Sequence, residues 1–137
     1  MERLAVIFGT FKDGTLWEKH FGDSEKFVKF YIYPDKDPVY DGEAENKMRD
    51  FDEEHDSAGK LSEVIKSLGS CDCVAAVSMS PNFKRMAAEK KIQPVVVKAK
   101  NREEILNTLK VNFSGIEELV VKRANGIMEK EVPVISA

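Results

Sequence analysis

Cys73-Val74-Ala75-Ala76-Val77-Ser78-Met79-Ser80-Pro81-Asn82-Phe83-Lys84-Arg85-Met86-Ala87 is the stretch that decides the fold. The run from Cys73 to Met79, with Val74, Ala75, Ala76 and Val77 unbroken by charge, predicts a core strand. Ser80 then stands at an N-cap and Pro81 at the first helical position. Phe83, Met86 and Ala87 mark the buried stripe of the helix, while Lys84, Arg85, Lys90 and Lys91 face elsewhere. Ile92 to Val97 is apolar again after Pro94 and predicts the next strand. Strand, helix and strand in this order call for parallel neighbours joined by a right-handed crossover. The fold class is α/β.

Towards the C-terminus, Asn101-Arg102-Glu103-Glu104 opens a second helix with Asn at the cap and Glu at N3, and Ile105, Leu106 and Leu109 form its inner stripe. Ile116 to Arg123 predicts a short helix with Ile116, Leu119 and Val120 on one face. Glu131 to Ser136 reads as an extended segment, either an added edge strand or a tail that docks on a partner.

Towards the N-terminus, Ala58, Leu61, Val64, Ile65 and Leu68 predict a helix over Ser57 to Leu68, with Gly69 as its C′ residue. Residues 35–56 carry ten acids, three bases and few apolar residues, which predicts a mobile acidic loop. Asp52-Glu53-Glu54-His55-Asp56 holds ligand-type side chains, yet contiguous loop residues rarely converge on an ion, so solvated surface is the expectation. His55 would stand near His20 if both loops lie at one sheet edge. Leu4 to Gly9 is a strand apolar on both faces, and Phe11-Lys12-Asp13-Gly14-Thr15 is turn chemistry. Leu16 and Trp17 begin a short second strand, with Trp17 expected in the core. Phe27 to Tyr33 is a third strand, closed by Pro34. The sum is one domain over residues 1–137, three-layered, with a mixed five-stranded sheet flanked by helices.

Between the second and third of these strands lies His20-Phe21-Gly22-Asp23-Ser24-Glu25-Lys26-Phe27, an imidazole held in a loop beside a glycine. A histidine next to an aromatic is commonly structural; its flanks point elsewhere. Asp13-Gly14, His20-Phe21-Gly22, Ser24 and Phe27, then Cys71-Asp72-Cys73-Val74 and Lys91-Ile92-Gln93-Pro94-Val95, resemble the dinitrogenase iron–molybdenum cofactor biosynthesis family. These are small carriers that hold nitrogenase cofactor precursors during assembly. The resemblance covers about residues 3–110 and leaves about 114–137 as an extension. It implies a ribonuclease H-like architecture, binding in place of catalysis, and His20 at the position of the cofactor-ligating histidine. The implied cargo is the iron–molybdenum cofactor or a related iron–sulfur cluster, and the implied partner is a cofactor-assembly or nitrogenase-type protein. The expected site is His20, Phe21 and Gly22, with backbone donors near Ser80 and basic attraction from Lys84 and Arg85. His20, as metal ligand, is expected to be at least partly solvent-accessible. One departure stands out: relatives carry a glycine-rich turn where this chain has Ser78-Met79-Ser80-Pro81-Asn82. The alternative is a protein-interaction module that has lost its cofactor.

Other classes find less support. There is no Ser/His/Asp order, P-loop or HExxH, and the first strand carries no carboxylate for a two-metal nuclease. The formal charge of −3 gives no reason to expect nucleic acid or a membrane surface. No run approaches the ~20 apolar residues of a membrane span. Met1-Glu2-Arg3 leads directly into strand without a signal-peptide h-region, and Cys71 and Cys73 sit too close together to bridge a fold. A cytoplasmic monomer or weak homodimer is expected. The two cysteines, read as lying on one strand, should point the same way and be buried and inert.

Overall fold

The computed structural model describes residues 1–46, 63, 65–89 and 92–137. Its strands are Leu4–Thr10 (β1), Lys26–Ile32 (β2), Val39–Glu45 (β3), Cys73–Ala76 (β4), Gln93–Val97 (β5) and Val134–Ile135 (β6). Among the described residues they form one six-stranded sheet in the order β3-β2-β1-β4-β5-β6. The two uncharged runs, β1 and β4, pair in parallel at its centre, with Ile7 opposite Val74. Every residue of both is buried, as strands covered on both faces require. β4, β5 and β6 continue in parallel, and β2 runs antiparallel to both β1 and β3.

Helices cover both faces. Pro81–Glu89 (α1) packs Phe83 and Met86 against Ile7, Val74, Ala76 and Val96. Arg102–Val111 (α2) and Phe113–Ala124 (α3) set Ile105, Leu109, Ile116 and Val120 on Val6, Phe8, Ala75 and Val97 across the sheet. The caps follow the residue types: Ser80 Oγ accepts the Phe83 N–H at 3.3 Å, and Asn101 Oδ1 accepts the Glu104 N–H at 2.9 Å. β4 and β5 are parallel neighbours with α1 between them in the chain, as expected. No helix of the described residues is long and apolar enough to cross a membrane.

The sheet has six strands where five were expected. Leu16 makes only one bridge, to Thr10, so no strand forms at Leu16-Trp17. β6 is the added edge strand foreseen at Glu131 to Ser136. β3 lies inside the expected acidic loop, and its acids, Asp41, Glu43 and Glu45, are tolerated because an edge strand faces water. Its pairing with β2 shifts between Val28 and Phe30, where Asp41 and Gly42 oppose Lys29. This bulge, with Gly42 at φ 125°, brings Asp41 Oδ2 to 3.1 Å from Lys29 Nζ. Lys29, 2 % exposed, also donates to the Leu68 carbonyl at 3.0 Å. The bulge thus pairs a buried ammonium that would otherwise be costly. Residues 47–56 of the acidic segment, His55 among them, and most of the helix expected from Ser57 lie outside the described residues. At that helix's end Gly69 has φ 88°, as its C′ role demands.

Candidate functional site

Because β1, β4 and β5 are parallel, their carboxyl ends share one edge of the sheet, the edge where open α/β sheets bind ligands. The loops leaving that edge are 11–25, 77–80 and 98–101. The first turns at Asp13-Gly14, with Gly14 at φ 91° and Asp13 Oδ1 accepting from the Thr15 N–H and hydroxyl. It then forms a single 3-10 turn over Phe21–Asp23, with His20 as the residue before it.

Backbone and side chains tie this turn down from several sides. The His20 carbonyl accepts the indole N–H of Trp17 at 2.8 Å and the Asp23 N–H at 3.0 Å. The Phe21 carbonyl accepts the Ser24 hydroxyl at 2.7 Å. The Gly22 and Ser24 carbonyls both accept from the Asn46 amide at 2.8 Å. From this fixed frame the His20 side chain stands exposed.

The other predicted site residues are placed differently. Phe21 is fully buried, its ring 4.9 Å from Phe27 and 5.3 Å from Phe83, so its side chain belongs to the core. Gly22 is buried as well, and a Cβ there would lie 2.6 Å from the Asn82 amide nitrogen. Its small size therefore serves the contact with Asn82, which locks the His20 turn to the start of α1. Ser80 is 2 % exposed and its hydroxyl is occupied by the cap. Pro81 has no N–H, and the Lys84 N–H bonds the Ser80 carbonyl at 3.2 Å, so this helix start is largely satisfied by its own residues. Lys84 and Arg85 are exposed near the same end of α1. The structure thus brings the His20 turn and the Ser80 turn together through Phe21–Phe83 and Gly22–Asn82. Asn46, Asn82 and Gly9 were not legible as part of this arrangement; Ser24 was, as a motif residue. Trp17 is in the core, as expected, and its ring lies 4.7 Å from Phe11. Among the described residues no three His, Cys, Asp or Glu side chains converge on a metal position.

Cys71 and Cys73 do not point the same way. Cys73 packs with Val6 and Ala75 under α2 and α3, and Cys71 with Ile7 and Val74 on the opposite face. Two-residue alternation holds inside a strand, and β4 begins only at Cys73. Burial pushes the Cys71 thiol up to about 12 and the Cys73 thiol well above its ordinary range. At neutral pH, alkylation of native Cys71 should run about a thousandfold slower than that of an ordinary thiol, because only the thiolate reacts. Stability should also fall as pH rises from 9.0 towards about 12, since the unfolded chain there loses a proton that the folded chain keeps. Urea midpoints at neutral and alkaline pH, compared between wild type and Cys71→Ala, measure this; an identical alkaline loss in the two proteins would refute it.

A family model described as "Dinitrogenase iron-molybdenum cofactor" matches residues 3–112. No curated protein and no solved structure matches the chain.

Proposed function

Because the chain belongs to the dinitrogenase iron–molybdenum cofactor family, we propose that it is a non-catalytic carrier that holds a metal–sulfur cluster through the His20 imidazole. The observation that carries this reading is the exposed His20 side chain on a turn whose carbonyls are held by Trp17, Ser24 and Asn46. A fixed backbone limits the reorganisation needed to form a coordination bond. A single imidazole is a poor site for a bare ion, which takes about four ligands when the site is structural. It suits a preassembled cluster that brings its own sulfides and lacks one ligand. The cargo in this reading is the iron–molybdenum cofactor, a precursor or a related iron–sulfur cluster, passed to a cofactor-assembly or nitrogenase-type protein in the cytoplasm.

The exposed cations Lys84 and Arg85 add attraction for an anionic cluster, screened over ~8 Å at physiological ionic strength. The sheet core β3-β2-β1-β4-β5, with β2 antiparallel, supports a ribonuclease H-like architecture, and we read residues 1–137 as one domain acting as a monomer or weak homodimer. One observation favours a second reading, a cofactor-free interaction module: the self-satisfied start of α1 at Ser80-Pro81-Asn82 offers less open backbone than a glycine-rich turn would.

The test is anaerobic titration with isolated iron–molybdenum cofactor, followed by metal analysis and by quenching of Trp17, the single tryptophan. Wild type should bind, and His20→Ala should lose at least tenfold in affinity at both low and high salt. Its melting temperature should stay unchanged, since an exposed loop side chain contributes little to the core. Lys84→Ala/Arg85→Ala should weaken capture at low salt only. Equal binding by wild type and His20→Ala removes His20 as the ligand, and a wild type that binds nothing leaves the interaction module.

A further inference from the structure

We infer that Asn46 is the positioning residue of the His20 site, an inference that rests on the carrier reading. Asn46 follows the last residue of β3 and is 5 % exposed. Its Nδ2 donates at 2.8 Å to the Gly22 carbonyl and at 2.8 Å to the Ser24 carbonyl, and its N–H donates to the Glu25 carbonyl at 3.1 Å. The amide therefore spans the C-terminal half of the turn that presents His20. The Gly22 carbonyl is held by Asn46, and the Asn82 amide nitrogen fills the space a side chain would need, 2.6 Å from where a Cβ would stand. Inside the turn the Asp23 N–H bonds the His20 carbonyl at 3.0 Å and the Ser24 N–H the Phe21 carbonyl at 3.2 Å, while Asn46 ties the turn to the end of β3.

The chemistry selects the residue type. Two carbonyls need two hydrogens from one neutral nitrogen, which an asparagine amide supplies. A carboxylate of the same shape would face both carbonyl oxygens with acceptors alone. Alanine would leave both oxygens short of a donor. Either change lets the turn rotate, and the His20 imidazole moves with it. The edge strand β3 thereby delivers Asn46 to the turn that leads into β2, since Glu45 pairs with Lys26 immediately before Asn46.

The test uses Asn46→Asp, Asn46→Ala and the milder Asn46→Ser, which keeps one donor. Two readouts are taken on the full chain: the imidazole resonances of His20, assigned with His20→Ala, and anaerobic capture of isolated iron–molybdenum cofactor. Lys29→Met, which should be destabilised in the middle of β2 by loss of the contacts to Asp41 and the Leu68 carbonyl, serves as a control matched by urea midpoint. The expected result is a shifted or broadened His20 resonance in Asn46→Asp and Asn46→Ala, with capture at least tenfold weaker than in the control. Asn46→Ser should fall between them and wild type, and it carries the test if the other two do not fold. An unchanged His20 resonance, or capture that follows stability alone across control and variants, overturns the assignment. If wild type captures no cofactor, the carrier reading falls, while the His20 resonances still decide whether Asn46 aims the imidazole.

Discussion

Gly9→Ala should destabilise the protein by about 3 kcal/mol or more and disorder the His20 turn. A Cβ on Gly9 would lie 1.8 Å from Ser24 Oγ and 2.6 Å from Ser24 Cβ, far inside van der Waals contact. Neither partner can retreat easily. Gly9 is in β1, between β2 and β4, and Ser24 is fully buried with its hydroxyl on the Phe21 carbonyl. The clash is thus relieved only by moving the segment that follows the 3-10 turn, and the Phe21 ring leaves Phe27 and Phe83 with it. Ser24→Gly removes both clashing atoms, so the double variant Gly9→Ala/Ser24→Gly should recover much of the loss. Urea unfolding of the three variants measures this. A single Gly9→Ala variant within about 1 kcal/mol of wild type would show that the close approach carries little of the turn's stability.

Arg123→Ala should cost about 3 kcal/mol or more, because it strips donors from several buried acceptors at once. Arg123 is 3 % exposed near the end of α3. Its Nε donates to Gln93 Oε1 at 3.0 Å, and Nη1 donates to the Met86 and Ala87 carbonyls at 3.3 and 3.1 Å. Nη2 reaches the Glu129 carbonyl at 3.3 Å. Burial lowers its pKa, but a guanidinium still keeps its charge at neutral pH. One side chain therefore joins α3 to β5, to α1 on the other face of the sheet, and to the segment leading to β6. Arg123→Met, close in volume, should lose nearly as much, which separates hydrogen bonding from packing. The site at the other end of α1 should be unaffected, so cofactor capture by folded Arg123→Met should equal that of wild type. If both variants unfold at the wild-type urea midpoint, the clamp is decorative. Arg123 lies beyond the family match at residues 3–112, so in this chain the C-terminal segment is built into the core.

Much of the arrangement could be read from the chain because burial on both faces leaves a dense local signature. The uncharged runs of β1 and β4, the stripe Phe83-Met86-Ala87 and the caps at Ser80 and Asn101 each state their structure within a few residues, and strand–helix–strand order does the rest. Exposure of His20 was legible from its turn context and the motif around it. Edge strands have no such signature: β3 carries charge and has little buried surface, so composition alone reads it as loop. Side-chain direction beside a strand is equally silent, which is why the spacing of Cys71 and Cys73 suggests one face while they occupy two. The roles within the His20 motif were decided only in three dimensions. Phe21 and Gly22 look like ligand-facing residues until Phe83 and Asn82 arrive from some 60 positions away to cover them. Asn46, whose amide reaches residues 24 and 22 positions back, leaves no local trace at all. Periodic burial is a property of neighbours in sequence, and it determined the sheet and its helices. The aim of one imidazole depends on contacts between segments far apart in the chain, and only the folded backbone brings those together.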